Sequence, residues 1–457
     1  MENKHELMQK IVSLCKRRGF VYPGSEIYGG LAGTYDYGPL GAQLKKNIKD
    51  SWWRKFVEDR TDMFGLDAAI LMSGHVWQAS GHAEGFVDPM VEDVVTNKRY
   101  RADHVLESLN FDVVGKSVEE MSQMIKENNV KSPDGNPFGE VRTFNMMLQT
   151  QVGAVEDTAS KTFLRPETAQ GIFVNFKNIM DSFSPKLPFG VGQIGKAFRN
   201  EITPRDFIFR VREMEQMEIE YFIRPENWEK EFMYWKDEML EWMTEIGLDM
   251  NHVHELEVAE GDRAHYSKRT LDFEFDYPFG RKELYGLAYR QDYDLSKHQE
   301  GSKQKLQYFD QDENIWFTPH VIEPSFGVDR TVLALIQSAY REEDIDGEIR
   351  TYLAFTPAMA PVKIAVSPLL RNKPELVEKA KEVFAELKQT FGNVMWDDNG
   401  NIGKRYRRQD EIGTPFCIVI DFDSLENNDV SIRDRNTTSQ RRVSIDSLIE
   451  TLVAKMN

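Results

Sequence analysis

Residues 190–222 read GVGQIGKAFRNEITPRDFIFRVREMEQMEIEYF, a stretch dense in groups able to handle a charged substrate. Gly190, Gly195 and Lys196 spell G-x-x-x-x-G-K, and Gly190, Gly192 and Gly195 spell G-x-G-x-x-G. A phosphate loop needs Ser or Thr after the lysine to hold magnesium, and Ala197 stands there. Both glycine loops also need a helix next, whose first amides face the phosphates. Two strand-like runs follow instead, around the turn Thr203, Pro204, Arg205, Asp206. The stretch is therefore predicted to be a long antiparallel hairpin and neither nucleotide loop. Arg199 and Glu201 are two apart, so on a strand they share a face. Arg210, Arg212, Glu215, Glu218 and Glu220 lie on or near the return strand. A plain cross-strand ion pair is the bland reading. So many charges of both signs between apolar positions point to a polar ligand that carries both signs itself.

Three other segments add to this. TFLRPETAQGIF places Glu167 after a proline in an apolar run. HVIEPSFGVDRTVLALIQ reads as strand, turn, helix, with Arg330 in the first helical turn. A cation there opposes the helix dipole, so Arg330 is read as reaching for an anion. YGGLAGTYDYGPLGAQLKKNIKDSWW places a Gly-Pro turn before a long helix.

Positioning these groups takes a large scaffold, and 457 residues allow two or three domains. Up to about residue 355, strand-like runs such as KAFRNEI, MEIEYFI, TLDFEFDY, KELYGLAY and HVIEPSF follow one another without intervening helices. That pattern predicts an α+β domain over 1–355, an antiparallel sheet flanked by helices. A polar helical insertion is expected at about 103–150. The N-terminus reads as an amphipathic helix with Leu7, Ile11, Leu14 and Cys15 on one face. Pro357, Pro361 and Pro368 punctuate a boundary, after which strands and helices alternate, so 356–457 is predicted to be a small α/β domain. Hydrophobic content of 40% and charged content of 29% fit a soluble globular chain. No apolar run is long enough for a membrane span, and no secretory signal core opens the chain. Two distant cysteines, Cys15 and Cys417, exclude a disulfide framework and a cysteine-based zinc site, and a cytosolic location is expected. A net charge of −18 argues against nucleic acid as a partner of the whole surface. Local basic clusters nonetheless occur at Lys404, Arg405, Arg407 and Arg408, and at Arg433, Arg435, Arg441 and Arg442.

These phrases together resemble the class II aminoacyl-tRNA synthetases. FRNE resembles the F-R-x-E strand of their motif 2, GVDR the G-x-x-R of motif 3, and the helix after Pro39 motif 1. YGGLAGTYDYGPLG, VWQASGH, RPETAQGIF, VREMEQMEIEYF, EPSFGVDR, GKRYRRQDEIGTPFCIVID and RDRNTTSQRRV are similar, in that order, to the homodimeric type of glycyl-tRNA synthetase. The resemblance implies a class II catalytic fold followed by an anticodon-binding domain. It implies ATP-dependent activation of glycine, transfer to tRNA(Gly), and a homodimer. By the same resemblance Arg199, Glu201 and Arg330 are the catalytic residues. Asn200, Phe209, Arg210, Arg212, Met214, Glu283, Leu284 and Gly327 join them around ATP, with Mg2+ near Glu283. Arg101, Glu167, Met214, Glu215, Gln216, Glu218, Glu323 and Ser325 are assigned to glycine. Arg405, Arg407, Arg408, Arg433 and Arg435 are expected at tRNA.

The family usually has Phe at the position of Met214, where the ring packs on adenine. Some relatives carry a cysteine-rich zinc module near VEDVVTNKRYRADH; no cysteine stands there, and no zinc is expected. His75, His82 and His104 are read as ordinary polar or packing histidines. Two other readings use the same scaffold. A non-catalytic RNA-binding factor is expected to lose the motif 2 and motif 3 arginines, which are present. A synthetase for proline, threonine or histidine fits RPETAQGIF and EPSFG poorly.

Overall fold

The computed structural model describes residues 2–113, 115–153, 161–345 and 347–456. Its center is a seven-stranded sheet in the order Val253–Glu257, Arg269–Tyr277, Gly280–Gln291, His320–Gly327, Glu213–Ile223, Phe189–Phe198, Met63–Leu66. All neighbours are antiparallel except the edge strand Met63–Leu66, which runs parallel to Phe189–Phe198. This is the predicted antiparallel sheet with helices beside it.

Period-two alternation makes the central strand Glu213–Ile223 two-sided. Met217, Ile219 and Tyr221 enter the main core with Trp52, Phe56, Trp235, Trp242 and Phe326. Three helices cover that face: Pro39–Trp53, Trp228–Glu245 and Val328–Ala339. The helix Glu2–Arg18 adds Ile11, Leu14 and Cys15 to the core, the face expected from its periodicity. Gln216, Glu218 and Glu220 fall on the opposite face, whose far end is sealed by Phe222 among Phe173, Phe176 and Phe189.

The glycine-rich run lies inside the strand Phe189–Phe198, as the rejection of a phosphate loop requires. A Cβ on Gly190 would sit 2.3 Å from Met63 Sδ, and one on Gly195 2.1 Å from an Arg165 guanidinium nitrogen. These glycines permit close approach by neighbouring side chains.

Two expectations need correction. The predicted hairpin pairs as expected from Phe189↔Phe222 to Phe198↔Glu213. Its connection, however, spans residues 199–212, and Phe207–Phe209 is a short 3-10 turn and not strand. Distant backbone holds this loop open: Asn200 N donates to Met146 O at 2.7 Å and Arg212 N to Gly33 O at 2.7 Å. The insertion also begins earlier and is not simply helical. Helices Ala102–Glu107 and Val118–Glu127 pack on a three-stranded sheet of Val87–Glu92, Arg99–Arg101 and Arg142–Asn145. This unit has its own core of Val91, Leu106, Met121, Ile125 and Val141. Its turn at VEDVVTNKRY is closed by buried Asp93, which accepts from Val95 N and Thr96 N at 2.9 Å each, from Asn136 Nδ2 at 3.1 Å and from Ser132.

The C-terminal sheet has the order Val394–Trp396, Ile364–Pro368, Phe416–Ile420, Asp429–Asp434, Gln440–Ser444. The first three strands are parallel and the last two antiparallel, so the predicted α/β domain has a mixed sheet. Helices Pro374–Phe391 and Leu448–Met456 close a separate core. Among the described residues no helix is long and apolar enough to cross a membrane.

Candidate active site

The polar face of the seven-stranded sheet opens into a cavity of about 600 Å3. Its lining includes Glu167, Arg199, Glu201, Phe209, Arg210, Met214, Gln216, Glu218, Glu283, Leu284, Glu323, Ser325, Gly327 and Arg330. Residues far apart in sequence are brought together by strand register. One row across the sheet carries Gln193, Glu218, Ser325 and Gly286. The next row on that face carries Val191, Glu220, Glu323 and Ala288.

One end of the cavity suits an anion. Arg199 Nε donates to Pro166 O at 3.1 Å, and its guanidinium lies 5.5 Å from the Phe86 ring centroid. Arg330 stands in the first turn of the helix Val328–Ala339, where the strand His320–Gly327 ends. Its guanidinium lies 4.6 Å from the Phe209 centroid, and Nη1 is 3.1 Å from Glu283 Oε2. Arg330 holds the Glu283 carboxyl below its usual range. Buried Glu201 accepts from Arg210 Nε at 2.6 Å. Asp272 faces the same space; burial, then Glu283 and Glu274, push its carboxyl up to about 7.

The other end is a nest of carboxylates. Glu218 accepts from Ser325 Oγ at 3.0 Å and from Thr168 Oγ1. Glu167 accepts from Gln170 Nε2 at 3.0 Å and lies 3.2 Å from His82 Nε2. Glu323 accepts from Arg290 Nη1 at 2.8 Å, while Arg290 Nε and Nη2 reach Asp294 at 2.7 and 2.8 Å. Burial would raise the Glu167 carboxyl, but His82 and Arg290 outweigh it and hold it low. Burial and the neighbouring negative charges push Glu323 up to about 8. A compact cation fits such a nest, because desolvated carboxylates gain most from a partner that brings both charge and donors.

Several predicted residues lie elsewhere. Glu215 reaches the cavity wall, but by alternation its side chain points to the other face of the sheet, toward Lys45 at 3.0 Å and Lys49 at 2.8 Å. Arg101 forks to Asp88 and Asp103, outside the cavity lining. Asn200 and Arg212 are also outside that lining; Arg212 is bound to the carbonyls of Glu201 and Ala32. Met214 does line the cavity. Of the basic C-terminal residues, Arg405 and Arg433 are buried and bonded inside their domain, and buried Arg435 bonds the carbonyls of Gly413 and of Phe355, at the end of the preceding domain. Arg408 is paired with Asp397 at 2.6 Å, and Arg407 stays half exposed.

Sequence reasoning missed His82, Thr168, Gln170, Tyr266, Arg290 and Asp294. His82, read as a packing histidine, orients Glu167. Arg290 lies 3.7 Å over the Tyr266 ring. Arg290 and Asp294 stand four apart in YRQDYDL, a charged pair at the end of an apolar strand, and that spacing was a readable signal.

Comparisons with known proteins agree with this geometry. A family model described as "tRNA synthetase class II core domain (G, H, P, S and T)" matches residues 153–339, and one described as "Anticodon binding domain" matches 363–455. A glycine–tRNA ligase of Caldanaerobacter subterraneus subsp. tengcongensis is 48% identical, covering 98% of this chain and 98% of that protein. One of Agathobacter rectalis is 50% identical and one of Bacillus anthracis 49%, each covering 96% of this chain and 97% of the relative. The chain thus belongs to the glycine–tRNA ligase family of class II aminoacyl-tRNA synthetases.

Proposed function

We propose that the chain is a glycine–tRNA ligase whose single cavity performs both half-reactions. A glycine carboxylate oxygen attacks the α-phosphorus of ATP, forming the P–O bond of glycyl-adenylate and breaking the bond to pyrophosphate. The terminal ribose hydroxyl of tRNA(Gly) then attacks the glycyl carbonyl and AMP leaves. Such chemistry needs charge neutralisation and alignment more than a protein nucleophile. The observation that carries this reading is the convergence of an arginine end, Arg199 and Arg330, with a carboxylate nest, Glu167, Glu218 and Glu323, in one cavity.

Arg199 is placed to hold the α-phosphate and Arg330 the γ-phosphate, each with a fork that matches phosphate oxygens. Glu201, steadied by Arg210, is placed to accept from the adenine amino group. Phe209 supports Arg330, and Met214, Leu284 and Gly327 shape the walls. Glu283, a hard oxygen donor beside the phosphate-binding arginines, fits Mg2+, which spreads phosphate charge when it arrives with ATP. Glu167, Glu218 and Ser325 are assigned to the glycine ammonium. Glycine brings no side chain, so larger amino acids can be refused by steric exclusion, the easy direction of discrimination.

We assign residues 1–355 to catalysis and 356–457 to anticodon binding. Exposed Lys404 and Arg441 and half-exposed Arg407 are proposed for the RNA backbone. A homodimer is supported by Ile27, Tyr28 and Leu31, exposed together at 89, 87 and 60% beside the Pro39–Trp53 helix. A cytosolic location follows from the tRNA substrate. ATP–pyrophosphate exchange with glycine, alanine, serine and proline in parallel tests the reading. Exchange with glycine alone is expected; none with any of them, from folded protein, would refute it.

A further inference from the structure

Glu220 lies next to Glu218 on the cavity face of the central strand, yet it does not line the cavity. Its side chain is fully buried, and neither carboxyl oxygen has a hydrogen-bond donor. Carboxyl oxygens of Glu218, Glu220 and Glu323 lie within 4.8 Å of one another. The register that pairs Glu218 with Ser325 and Tyr221 with Ile322 sets Glu220 opposite Glu323.

The acids around Glu220 outnumber the one guanidinium, Arg290, that favours its ionised form. Glu218 sits on its own strand, Glu323 on the next, and Asp294 on the helix Tyr293–Ser302 beyond. Glu167, with His82 beside it, completes the nest. Arg290 is the guanidinium at hand, and its nitrogens already bond Asp294 and Glu323. An ionised Glu220 meets acceptors; a protonated Glu220 meets acceptors that need a donor. Burial, then Glu323 and Glu218, push its carboxyl well above the usual range, in keeping with this count.

We propose that Glu220 is a positioning residue for the glycine pocket: a neutral carboxylic acid behind the wall, whose O–H is aimed at the carboxylates of Glu218 and Glu323 and fixes how they face the amino group of the substrate. The proposal rests on the glycine reading of this nest and adds a residue that never touches glycine. A neutral acid also limits the negative charge packed into the nest, so fewer carboxylates need the incoming ammonium as their counter-ion.

The test compares Glu220→Gln with Glu220→Met in the full-length protein. Gln keeps a donor at nearly the same place; Met keeps the length and removes it. In glycine-dependent ATP–pyrophosphate exchange, Glu220→Gln is expected to hold the glycine KM within about threefold of the parent. Glu220→Met is expected to raise it about tenfold or more, with the ATP KM unchanged. In infrared spectra at neutral pH, subtracting Glu220→Gln from the parent should leave one protonated-carboxyl carbonyl band, over and above the signals of Glu323 and Asp272 that both proteins share. That readout survives even where Glu220→Met fails to fold. Equal damage from both variants would show that the negative charge is needed and would overturn the proposal. So would two silent variants, or protonated-carboxyl intensity that is the same in Glu220→Gln as in the parent. Absence of exchange in the parent would instead overturn the glycine reading, and this proposal with it.

Discussion

Arg199 in the cavity and the buried arginines of the C-terminal domain have the same side chain and opposite occupations. Among the described residues, the Arg199 side chain makes one hydrogen bond, to the Pro166 carbonyl, and it lines an open cavity. Arg435 donates to the carbonyls of Gly413 at 2.6 Å and Phe355 at 2.8 Å and to Asn436 at 3.0 Å. Arg405 is bound to the carbonyls of Pro368, Asp398 and Gly400, and Arg433 forks onto Asp410. The first kind of arginine waits for an anion. The second satisfies carbonyls and carboxylates that burial would otherwise orphan. Supply of local acceptors, not charge, separates function from scaffold.

The sharpest way to break that contrast is to truncate one member of each class. Arg199→Ala is expected to lower glycine-dependent exchange by about 10^3-fold, because it removes a charged donor aimed at the reacting phosphate. Its melting midpoint should stay near that of the parent, since the substitution breaks only a single hydrogen bond to a carbonyl. Arg435→Ala should do the reverse. It strips partners from two buried carbonyls and should cost about 3 kcal/mol in denaturant unfolding. Exchange per folded molecule should be retained. If Arg435→Ala lost activity with its stability intact, the division drawn here would fail.

Part of this division is readable in the sequence. Arg405, Gln409 and Ile412 recur at i, i+4 and i+7 within the helix Ile402–Ile412, and all three are buried. Helical spacing alone therefore turns Arg405 inward, although its basic neighbours draw the eye to charge before periodicity. Period two likewise separates Glu215 from Glu218. The fates of Arg433 and Arg435 are not readable, because their acceptors come from other segments, such as Asp410 and Phe355. The long inner strands of the sheet are legible, since they alternate; its edge strands Met63–Leu66 and Val253–Glu257 are not, being four and five residues long. The 199–212 loop is not, because its anchors are Gly33 and Met146. The insertion's strands escape for a related reason: they are three to six residues long, too short for a periodic signal.

A milder perturbation sharpens the contrast within the C-terminal domain itself. Lys404 and Arg441 are exposed, and half-exposed Arg407 has one loose partner, Glu348 at 4.0 Å. Replacing all three with Ala should leave exchange unchanged and raise the tRNA KM in aminoacylation about tenfold at moderate salt. The salt dependence of tRNA binding should also flatten, by roughly 0.7 to 0.9 in log–log slope for each phosphate that the variant no longer neutralises. An unchanged slope would place the RNA on another face.

The smallest effect is one of pH, and it tests whether the carboxylate nest carries a stability cost that the C-terminal ion pairs do not. Glu323 has its folded value raised to about 8 from 4.5, with burial the leading cause. The folded state therefore holds this proton more tightly than the unfolded chain does. Stability from Glu323 is complete below the unfolded value and is lost as pH climbs toward 8. Glu323→Gln cannot ionise, and its amide oxygen can still accept from Arg290. Its melting midpoint relative to the parent should therefore rise steadily between pH 5 and 8. Asp410 sits between Arg350 and Arg433 with matched donors, so Asp410→Asn should be the less stable protein across that whole range. A Glu323→Gln advantage that stayed flat with pH would mean that the nest is already neutral or already compensated. The crowding of acids at the glycine end would then be a feature of shape, with no charge held in reserve for the substrate.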